Sequence, residues 1–266
     1  MRVIIFGSNG MLGTYLHKYL KKKYTVVPLT RVDIDIAKSS ESEINNFLNK
    51  IMKEDDIIVN AAGVIKQREY QISDMIQVNS QFPNYLSKIK QRTRCRIIHI
   101  TTDCVFNGLK GNYNENDKHD CLDEYGKSKS LGENSLITNI RTSIIGEEMH
   151  NKKSLIEWVK SQTGKEVFGY TNHLWNGVTC LELSKYIDKM IETDNIWEGV
   201  RHLFSPNTVS KFELVDMINK IYDLKISIKE KETIEICHRN LTTIHDLKIT
   251  KDLFEQIVEL KKFNLL

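Results

Sequence analysis

The sequence contains no long apolar run, which argues against a membrane span and a secretion signal. A membrane-spanning helix needs about 20 consecutive apolar residues, whereas the first apolar run, VIIF, reaches Gly7 after four residues. That run is also too short for the core of a signal peptide. We therefore expect a cytoplasmic protein that does not contact a membrane.

Paired cysteines and metal-binding spacings are also missing. The five cysteines are an odd number and form no C-x-x-C motif, so neither a disulfide framework nor a zinc ribbon is indicated. The eight histidines are scattered without the spacing of metal ligands. We expect no metal site.

Neither sign of charge dominates the chain, and proline is scarce. The 38 basic and 35 acidic residues are intermixed and give a net charge of +3, which argues against a dedicated nucleic-acid surface. With 40% hydrophobic residues and three prolines, the composition is that of a globular protein. Small anions remain candidate ligands.

Short β-branched runs alternate with helical patterns through the first half of the chain. RVIIF, TVVPL, DIIVN and RIIHIT predict strands, and the segments between them carry apolar residues at helical spacing. Such alternation produces right-handed crossovers and a parallel sheet that is covered on both faces. The predicted fold class is α/β, a Rossmann-type doubly wound parallel sheet whose ligand lies beyond the carboxyl ends of the strands.

The pattern becomes less regular after Gly146, which predicts a boundary near residue 150. We expect a dinucleotide-binding domain over residues 1–150. Residues 151–266 hold four helical patterns and short strand-like pieces such as VRHLF. They predict a smaller mixed α/β lobe that mainly binds substrate, and some of its segments can return to the first domain.

Three glycines mark the turn between the first strand and the first helix. Gly7, Gly10 and Gly13 follow the strand and open the helix, where glycine lets the backbone approach a pyrophosphate and the helix N–H groups attract the anion. NAAG at residues 60–63 ends the third strand, where small residues let a flat cofactor lie against the backbone. The pattern predicts a bound dinucleotide.

The end of the second strand carries Arg31 where an acidic residue is usual. An arginine there can pair with a ribose 2′-phosphate, which favours NADPH, whereas Asp33 and Asp35 keep NADH open. The predicted cofactor contacts are Gly7, Asn9, Gly10, Met11, Leu12, Gly13, Arg31, Asp35, Ala61, Ala62, Gly63, Tyr125 and Lys129.

TTDCVFNG at residues 101–108 and YGKSK at residues 125–129 carry the candidate catalytic groups. In a helix, Tyr125 and Lys129 lie on one face. A free tyrosine titrates at about pH 10, so we expect the neighbouring ammonium, together with a positively charged oxidised nicotinamide, to lower its pKa toward neutrality. The Thr102 hydroxyl can hold the carbonyl oxygen of a substrate. The residues thus predict a carbonyl/hydroxyl oxidoreductase with Thr102, Tyr125 and Lys129 as catalytic groups.

Several motifs together resemble a known family. FGSNGMLG, NAAG, TTDCVFNGLKGNY, YGKSKSLGE and IRTSIIG occur in the order seen in extended short-chain dehydrogenase/reductases, and the chain most resembles the dTDP-4-dehydrorhamnose reductases. The motifs are specific over residues 1–146. The resemblance implies that Thr102, Tyr125 and Lys129 form the catalytic set. It also implies NAD(P)H-dependent reduction of the 4-keto group of a nucleotide-linked 6-deoxy sugar, in rhamnose-type deoxysugar biosynthesis.

Cys104 departs from that family, which usually has tyrosine at this position. Bifunctional relatives such as GDP-fucose synthase carry a cysteine at the same offset from their catalytic serine or threonine. Similarity to them implies an alternative, a 3,5-epimerase/4-reductase in which the Cys104 thiol moves a proton beside the keto group. A small buried cysteine without chemistry is the other interpretation of this residue. A further alternative is a non-catalytic NADP-binding regulatory subunit, as in methionine adenosyltransferase.

The candidate substrate contacts lie in two places. Asp103 and Cys104 follow the catalytic threonine. Trp175 and Asn176 belong to a polar loop before a helix, where Trp175 can stack on a base or sugar or else anchor the two lobes.

Two basic residues are candidates for the diphosphate of the substrate. Arg141 and Lys211 can meet that charge, and solvated positions are the alternative for each. The expected partner is a nucleotide-sugar substrate, with homodimer formation left open.

Overall fold

The computed structural model describes residues 1–66, 71–150, 152–246 and 249–263. The helices within these ranges are α1 (Met11–Leu20), α2 (Glu41–Ile51), α3 (Ile72–Ile76), α4 (Phe82–Lys90), α5 (Glu124–Gly132), α6 (Leu155–Ser161), α7 (Cys180–Glu192), α8 (Lys211–Tyr222) and α9 (Leu253–Lys262). A π-helical turn, Gln77–Gln81, joins α3 to α4, and a short 3₁₀ turn, Asp103–Val105, follows the fourth strand.

The strands are short and most of them are buried. They are β1 (Arg2–Phe6), β2 (Thr25–Leu29), β3 (Ile57–Asn60), β4 (Arg96–Thr102), β5 (Thr138–Thr142), β6 (Ile144–Ile145), β7 (Glu166–Tyr170), β8 (His173–Trp175), β9 (Val178–Thr179), β10 (Gly199–His202), β11 (Val209–Ser210), β12 (Ser227–Lys231) and β13 (Cys237–His238).

Six of these strands form one parallel sheet in the order β10-β5-β4-β3-β1-β2. After β1 the chain adds β2 on one side, and after β2 it crosses to add β3 on the other side of β1. The topological switch point therefore lies between β1 and β3, where doubly wound sheets bind ligands at the carboxyl ends of the strands. The predicted α/β fold class is confirmed.

Alternate residues of the sheet supply two apolar cores. Val3 and Ile5 of β1 belong to a cluster with apolar residues of α1, α7, α8 and α9. Ile4 and Phe6 belong to a second cluster with α2 and α4. Because successive side chains of a strand point to opposite faces, each face of the sheet is covered by its own helices.

The second half of the chain contributes to both parts of the molecule. β10 was expected in the smaller lobe as VRHLF, but it pairs with β5 as the edge strand of the main sheet, and α7 packs beside α1. The other late strands form small sheets: β7 with β12, β6 with β9, and β8 between β11 and β13. We keep the boundary near residue 150 as a proposal, with α7 and β10 as the segments that return.

Among the described residues, no helix is long and apolar enough to span a membrane.

Candidate active site

The candidate site lies at the carboxyl edge of the main sheet. Gly7 follows β1, Thr30 follows β2, Ala61 follows β3 and Asp103 follows β4. Since the strands are parallel, these turns meet at one edge. The predicted cofactor and catalytic motifs therefore fall on the same side of the molecule.

A cavity at the switch point collects most of the predicted cofactor residues. Those lining it are Gly7, Asn9, Gly10, Arg31, Asp35, Ala61, Ala62 and Gly63. The rest of the lining is Phe6, Leu29, Thr30, Ile34, Ile36, Ala37 and Val78. The other predicted contacts, Met11, Leu12, Gly13, Tyr125 and Lys129, do not line this cavity, and Leu12 is packed in the core.

Two glycines of the turn are required by close backbone contacts. Gly7 has a φ of +74°, and a Cβ built there would lie 2.9 Å from the Ala62 backbone. A Cβ on Gly13 would lie 2.0 Å from the Gly7 carbonyl oxygen. Gly7 thus lets the turns after β1 and β3 approach each other, and Gly13 lets α1 pack directly on the turn.

The amino terminus of α1 suits an anionic group. Gly10 is its N-cap and gives no side-chain cap, and the first turn contains no acidic residue. The N–H groups and the positive end of the helix dipole are therefore free of a competing carboxylate. Together with the cavity lined by glycine and alanine backbone, this end of α1 fits a dinucleotide pyrophosphate.

The turn after β2 presents Arg31 at the surface of the cavity. The neighbouring Asp33 carboxylate accepts hydrogen bonds from the Thr30 N–H and hydroxyl at 2.8 and 2.9 Å, and these bonds hold the pKa of Asp33 below its usual range. Asp35 Oδ1 accepts from the Ala37 N–H at 3.0 Å. Asp33 is therefore occupied in its own turn, whereas Arg31 and Asp35 line the cavity.

The structure brings Thr102 and Tyr125 together. Thr102 ends β4, and Tyr125 lies in the first turn of α5, which begins after Asp123 accepts a hydrogen bond from the Gly126 N–H at 2.8 Å. The Thr102 hydroxyl lies close enough to the Tyr125 phenol to lower its pKa, against the effect of burial. The Thr102 hydroxyl accepts from the Cys104 N–H at 3.2 Å and donates to Asp103 Oδ1 at 3.2 Å.

The electrostatic state of Tyr125 differs from the expectation. Burial raises the pKa of the Tyr125 phenol, the nearby Cys104 thiol adds to the rise, and the hydrogen bond with Thr102 opposes it. The net shift of the phenol pKa is upward, although the Lys129 ammonium lies one helical turn away. The expected lowering of the phenol pKa by Lys129 is therefore wrong for the protein alone, and the phenol stays protonated at neutral pH.

Lys129 is buried beside the strand instead. Its Nζ atom donates to the Ile100 carbonyl oxygen of β4 at 2.7 Å. Burial lowers the pKa of Lys129 to about 8, and the Glu133 carboxylate opposes the shift. Tyr125 and Lys129 thus share the helix face that was predicted, but each is tied to a different residue of β4.

Glycine and asparagine set the position of α5. A Cβ on Gly126 would lie 2.3 Å from the Cys104 carbonyl oxygen, and one on Gly132 would lie 2.0 Å from the Asn79 carbonyl oxygen. The Asn79 amide bonds to the N–H and carbonyl of Val64 at 2.9 Å each and to the Ser128 hydroxyl at 3.0 Å. Asn79 therefore connects the turn after β3 to the catalytic helix.

The inference from sequence missed Asn79, because an asparagine inside a helical pattern gives no signal of such a role. Its place in the π-helical turn, a feature common at functional sites, became visible only in the structure.

Two cations from the second half of the chain face the turn after Thr102. Arg239 donates from Nε to the Phe106 carbonyl oxygen at 3.0 Å, and its NH1 lies 3.6 Å from the Cys104 sulfur. Lys211 holds its Nζ 4.9 Å from the centre of the Trp175 ring. Burial raises the pKa of Asp103, and the charges of Arg239 and Lys211 oppose that rise. Arg239 was missed because no motif surrounds it.

Cys104 lies within this cluster as a protonated thiol. Burial and the adjacent Asp103 raise its pKa to about 12, although Arg239 opposes the shift. A thiol in this state is a poor base at neutral pH.

The other sequence candidates have mainly structural contacts. Trp175 is buried in the apolar core under Lys211. The Asn176 amide donates to and accepts from the Leu241 backbone at 2.8 Å in each case. Asn176 therefore holds the backbone at Leu241 in place, and its role as a substrate contact stays a prediction.

Arg141 is buried rather than solvated. Its side chain is 2% exposed and paired with Glu133. The solvated position considered from the sequence is therefore wrong for Arg141. Among the described residues, no group of three or more histidine, cysteine or acidic side chains is arranged to hold a metal ion.

Comparison with protein families identifies the class of protein to which this fold belongs. The chain belongs to the RmlD substrate binding domain family, whose model matches residues 1–149, and it is a reductase of that family. The resemblance drawn from the motifs is confirmed.

Individual relatives make the likeness more specific. A dTDP-4-dehydrorhamnose reductase of Aggregatibacter actinomycetemcomitans is 29% identical over 88% of this chain and 83% of its own length. The spore coat polysaccharide biosynthesis protein SpsK of Bacillus subtilis is 28% identical over 88% of this chain and 84% of its own length.

Solved structures share the fold over the whole chain. A dTDP-4-dehydrorhamnose reductase of Bacillus anthracis, in complex with NADP, matches with a TM-score of 0.83 at 20% identity and covers 99% of both chains. A homologue from Clostridium acetobutylicum matches with a TM-score of 0.81 at 22% identity, again over 99% of both chains. At these identities the likeness shows the fold alone.

Proposed function

We propose that the chain uses NADPH to reduce the 4-keto group of a nucleotide-linked 4-keto-6-deoxy sugar, in rhamnose-type deoxysugar biosynthesis. The observation that carries the proposal is the proximity of the Thr102 hydroxyl and the Tyr125 phenol at the end of β4. They lie at the same sheet edge as the glycine-lined cavity. The curated relatives named as dTDP-4-dehydrorhamnose reductases support the substrate class.

The proposed chemistry divides between the cofactor and three side chains. When bound, reduced nicotinamide dinucleotide supplies a hydride to the keto carbon. The Thr102 hydroxyl donates a hydrogen bond to the carbonyl oxygen and so orients it. Tyr125, whose phenol remains protonated at neutral pH, gives its proton to the same oxygen.

Lys129 contributes a positive charge one helical turn from the phenol. An ammonium at that distance favours the phenolate left after proton transfer more than it favours the neutral phenol. The charge therefore stabilises the state that forms during the reaction rather than the ground state, which is the requirement for a lower barrier.

Arg239 and Lys211 are proposed to bind the negatively charged diphosphate of the substrate. Their charges act on Asp103 and Cys104, so they lie within electrostatic reach of the catalytic turn. The Arg239 guanidinium is held through Nε by Phe106, which leaves other N–H groups of its fork for phosphate oxygens.

The preference for NADPH rests on Arg31. It lines the cavity while Asp33, the nearest carboxylate in sequence, is bonded to Thr30. An arginine free to pair with a 2′-phosphate favours NADPH. The Bacillus anthracis relative was solved with NADP, and other proteins of similar fold were solved with NAD.

The test is consumption of NADPH by the purified chain with dTDP-, UDP- and GDP-linked 4-keto-6-deoxy sugars. We expect turnover with at least one of them, and we expect Tyr125→Phe to lower kcat by about 100-fold or more while the Kd for NADPH stays within about twofold. Tyr24→Phe serves as a control, because that phenol bonds to Asp188 elsewhere on the surface. Undiminished turnover by Tyr125→Phe would reject the assignment of the proton donor.

The epimerase/reductase and the non-catalytic regulatory subunit have less support than simple reduction. A 3,5-epimerase needs a base beside the keto group, and the Cys104 thiol has a raised pKa. A regulatory subunit has no use for a threonine, a tyrosine and a lysine gathered at the cofactor edge. Turnover by the isolated chain would exclude the regulatory-subunit alternative.

A further inference from the structure

A buried charge pair lies behind the catalytic residues. Arg141 of β5 donates from Nε to Glu133 Oε1 at 3.0 Å and from NH2 to Oε2 at 2.5 Å. The two side chains are 2% and 5% exposed. Glu133 is the residue that follows α5, so the pair joins the end of the catalytic helix to the sheet in a two-bonded geometry.

The remaining donors of Arg141 also have partners. NH1 lies 2.8 Å from His202 Nε2, and NH2 lies 2.7 Å from His119 Nε2. The other ring nitrogens bond to the Thr242 carbonyl oxygen at 2.7 Å and to the Ser130 hydroxyl at 2.6 Å. Because an arginine only donates, both Nε2 atoms must accept and both imidazoles are neutral.

The protonation states in this network are stable across the working pH range. Burial lowers the pKa of His202 to about 4, and burial also lowers the pKa of His119. Besides Arg141 and Glu133, the Glu115 carboxylate acts on His202 and the Asp120 carboxylate acts on His119. The network therefore holds one negative and one positive charge, Glu133 and Arg141, and neither histidine adds charge near neutral pH.

Glu133 is connected directly to the catalytic strand and helix. The Thr101 hydroxyl donates to Glu133 Oε1 at 2.8 Å, and Thr101 is the neighbour of Thr102. Lys129 lies four residues before Glu133, which places the two side chains on the same side of the helical segment. β4 and α5 are thus joined at successive residues, Ile100 through Lys129 and Thr101 through Glu133.

The charged and titratable groups that face Lys129 come from two elements. On its own helical segment these are Tyr125 and Glu133. From β4 the facing group is His99, which is fully buried and whose pKa is lowered well below its usual range by burial and by Lys129 itself. Glu133 is the group that favours the charged form of Lys129.

We propose that Glu133, held by Arg141, is a positioning residue that keeps Lys129 charged and fixes the β4 end carrying Thr102 against the helix carrying Tyr125. This role rests on the proposed function, since it serves the same proton transfer. Glu133 itself contacts neither Thr102 nor Tyr125 in the described network. It acts through Lys129 and Thr101.

The main test is Glu133→Gln, which preserves shape and an acceptor for Thr101 but removes the charge. The pKa of Lys129 is read by NMR titration of ¹³Cε-labelled lysine, with the signal assigned from its loss in Lys129→Arg. We expect the titration midpoint to fall by about one unit or more, because the carboxylate that favours the charged form of Lys129 is lost. The high-pH limb of log(kcat/KM) should move by the same amount, and kcat should fall by about tenfold.

Two further variants separate this role from a structural one. Glu133→Gln/Arg141→Met removes both charges, so that no unpaired charge stays buried and the fold is protected. It should show a fall in the Lys129 midpoint that is smaller than in Glu133→Gln, because the Arg141 cation is removed as well. Thr101→Val removes one hydrogen bond and retains the carboxylate, so the midpoint should stay at the wild-type value.

Specific results would overturn the proposal. An unchanged Lys129 midpoint in the folded double variant, or a loss of thermal stability with no shift of the pH profile, would leave Glu133 as a structural residue only. The NMR titration needs no substrate. Absence of turnover on every nucleotide sugar would therefore refute the proposed function without affecting this result.

Discussion

The Lys129 amine and the Ile100 carbonyl oxygen lie 2.7 Å apart, and this bond ties the catalytic helix to the strand that carries Thr102. The Tyr125 phenol lies near the hydroxyl of Thr102, two residues further along the same strand. The lysine and the tyrosine therefore act from one rigid junction of α5 and β4. The Y-x-x-x-K spacing alone suggests a lowered tyrosine pKa, whereas the pKa of Tyr125 is raised and that of Lys129 is lowered.

The first prediction concerns the pH dependence of the reaction. Burial lowers the pKa of Lys129 to about 8 and raises that of Tyr125, so a rise in pH removes the ammonium before it ionises the phenol. Since kcat/KM reports the free enzyme, it should fall as pH rises through about 8. Initial rates between about pH 6 and 10 measure this.

Unfolding does not account for such a fall. The unfolded chain binds more protons at Lys129 than the folded chain between its folded pKa and its ordinary value, so this group makes the fold more stable as pH rises. Lys129→Arg is the control, because arginine keeps its charge throughout this range. If that variant retains the same limb near pH 8, a group other than Lys129 is responsible.

The coenzyme preference should depend on Arg31. Arg31→Ala removes the cation that lines the cavity after β2, so we expect the KM for NADPH to rise about tenfold, as for the loss of one charged hydrogen bond. The KM for NADH should change by less than about twofold. Lys38→Ala is a matched control, since Lys38 pairs with Asp74 and does not line the cavity. Equal losses with both coenzymes would contradict a 2′-phosphate contact.

Motifs made of neighbouring residues could be recognised from the sequence, and contacts between distant segments could not. The glycine turn and the strand-to-helix alternation are local, and their places in the fold follow from strand order. Gly13 is required because α1 packs on Gly7, a contact between residues six positions apart. These parts of the site were predicted.

Arg239 and Glu133 show where prediction from sequence stopped. Arg239 reaches the turn after Thr102 across 133 residues of chain through its bond to Phe106, and nothing around it in the sequence indicates that contact. Glu133 ends a recognised motif, but its partner Arg141 had been assigned to substrate or solvent. The direction in which the Tyr125 pKa shifts depends on burial, and burial cannot be inferred from the spacing of residues in the sequence.

Cys104 should not be required for reduction. Its thiol is held protonated by burial and by Asp103, so it cannot remove a proton from a sugar carbon at neutral pH. We expect Cys104→Ala to keep kcat within about threefold, since a small side chain is exchanged for a smaller one. Product formed in D₂O should contain no solvent deuterium at sugar carbons 3 and 5.

The isotope measurement decides between simple reduction and the bifunctional alternative. Wild-type and Cys104→Ala products are compared by mass spectrometry and NMR after complete conversion. Deuterium at either carbon that disappears in Cys104→Ala would establish epimerisation by the thiol. Deuterium that persists in the variant would come from exchange independent of Cys104.

Arg239 should control affinity for the substrate but not for the coenzyme. Its Nε bond to Phe106 orients a planar fork beside Cys104, and a lysine cannot make that bond and present further donors in the same plane. Arg239→Lys should therefore raise the KM for the nucleotide sugar by about tenfold and weaken competitive inhibition by inorganic pyrophosphate to a similar extent. The Kd for NADPH should stay unchanged.

Arg94→Lys is the control for this prediction, because Arg94 pairs with Glu54 on the exposed surface. If pyrophosphate inhibits Arg239→Lys as strongly as the wild type, Arg239 does not bind the diphosphate, and its bonds to the catalytic turn have only a structural role.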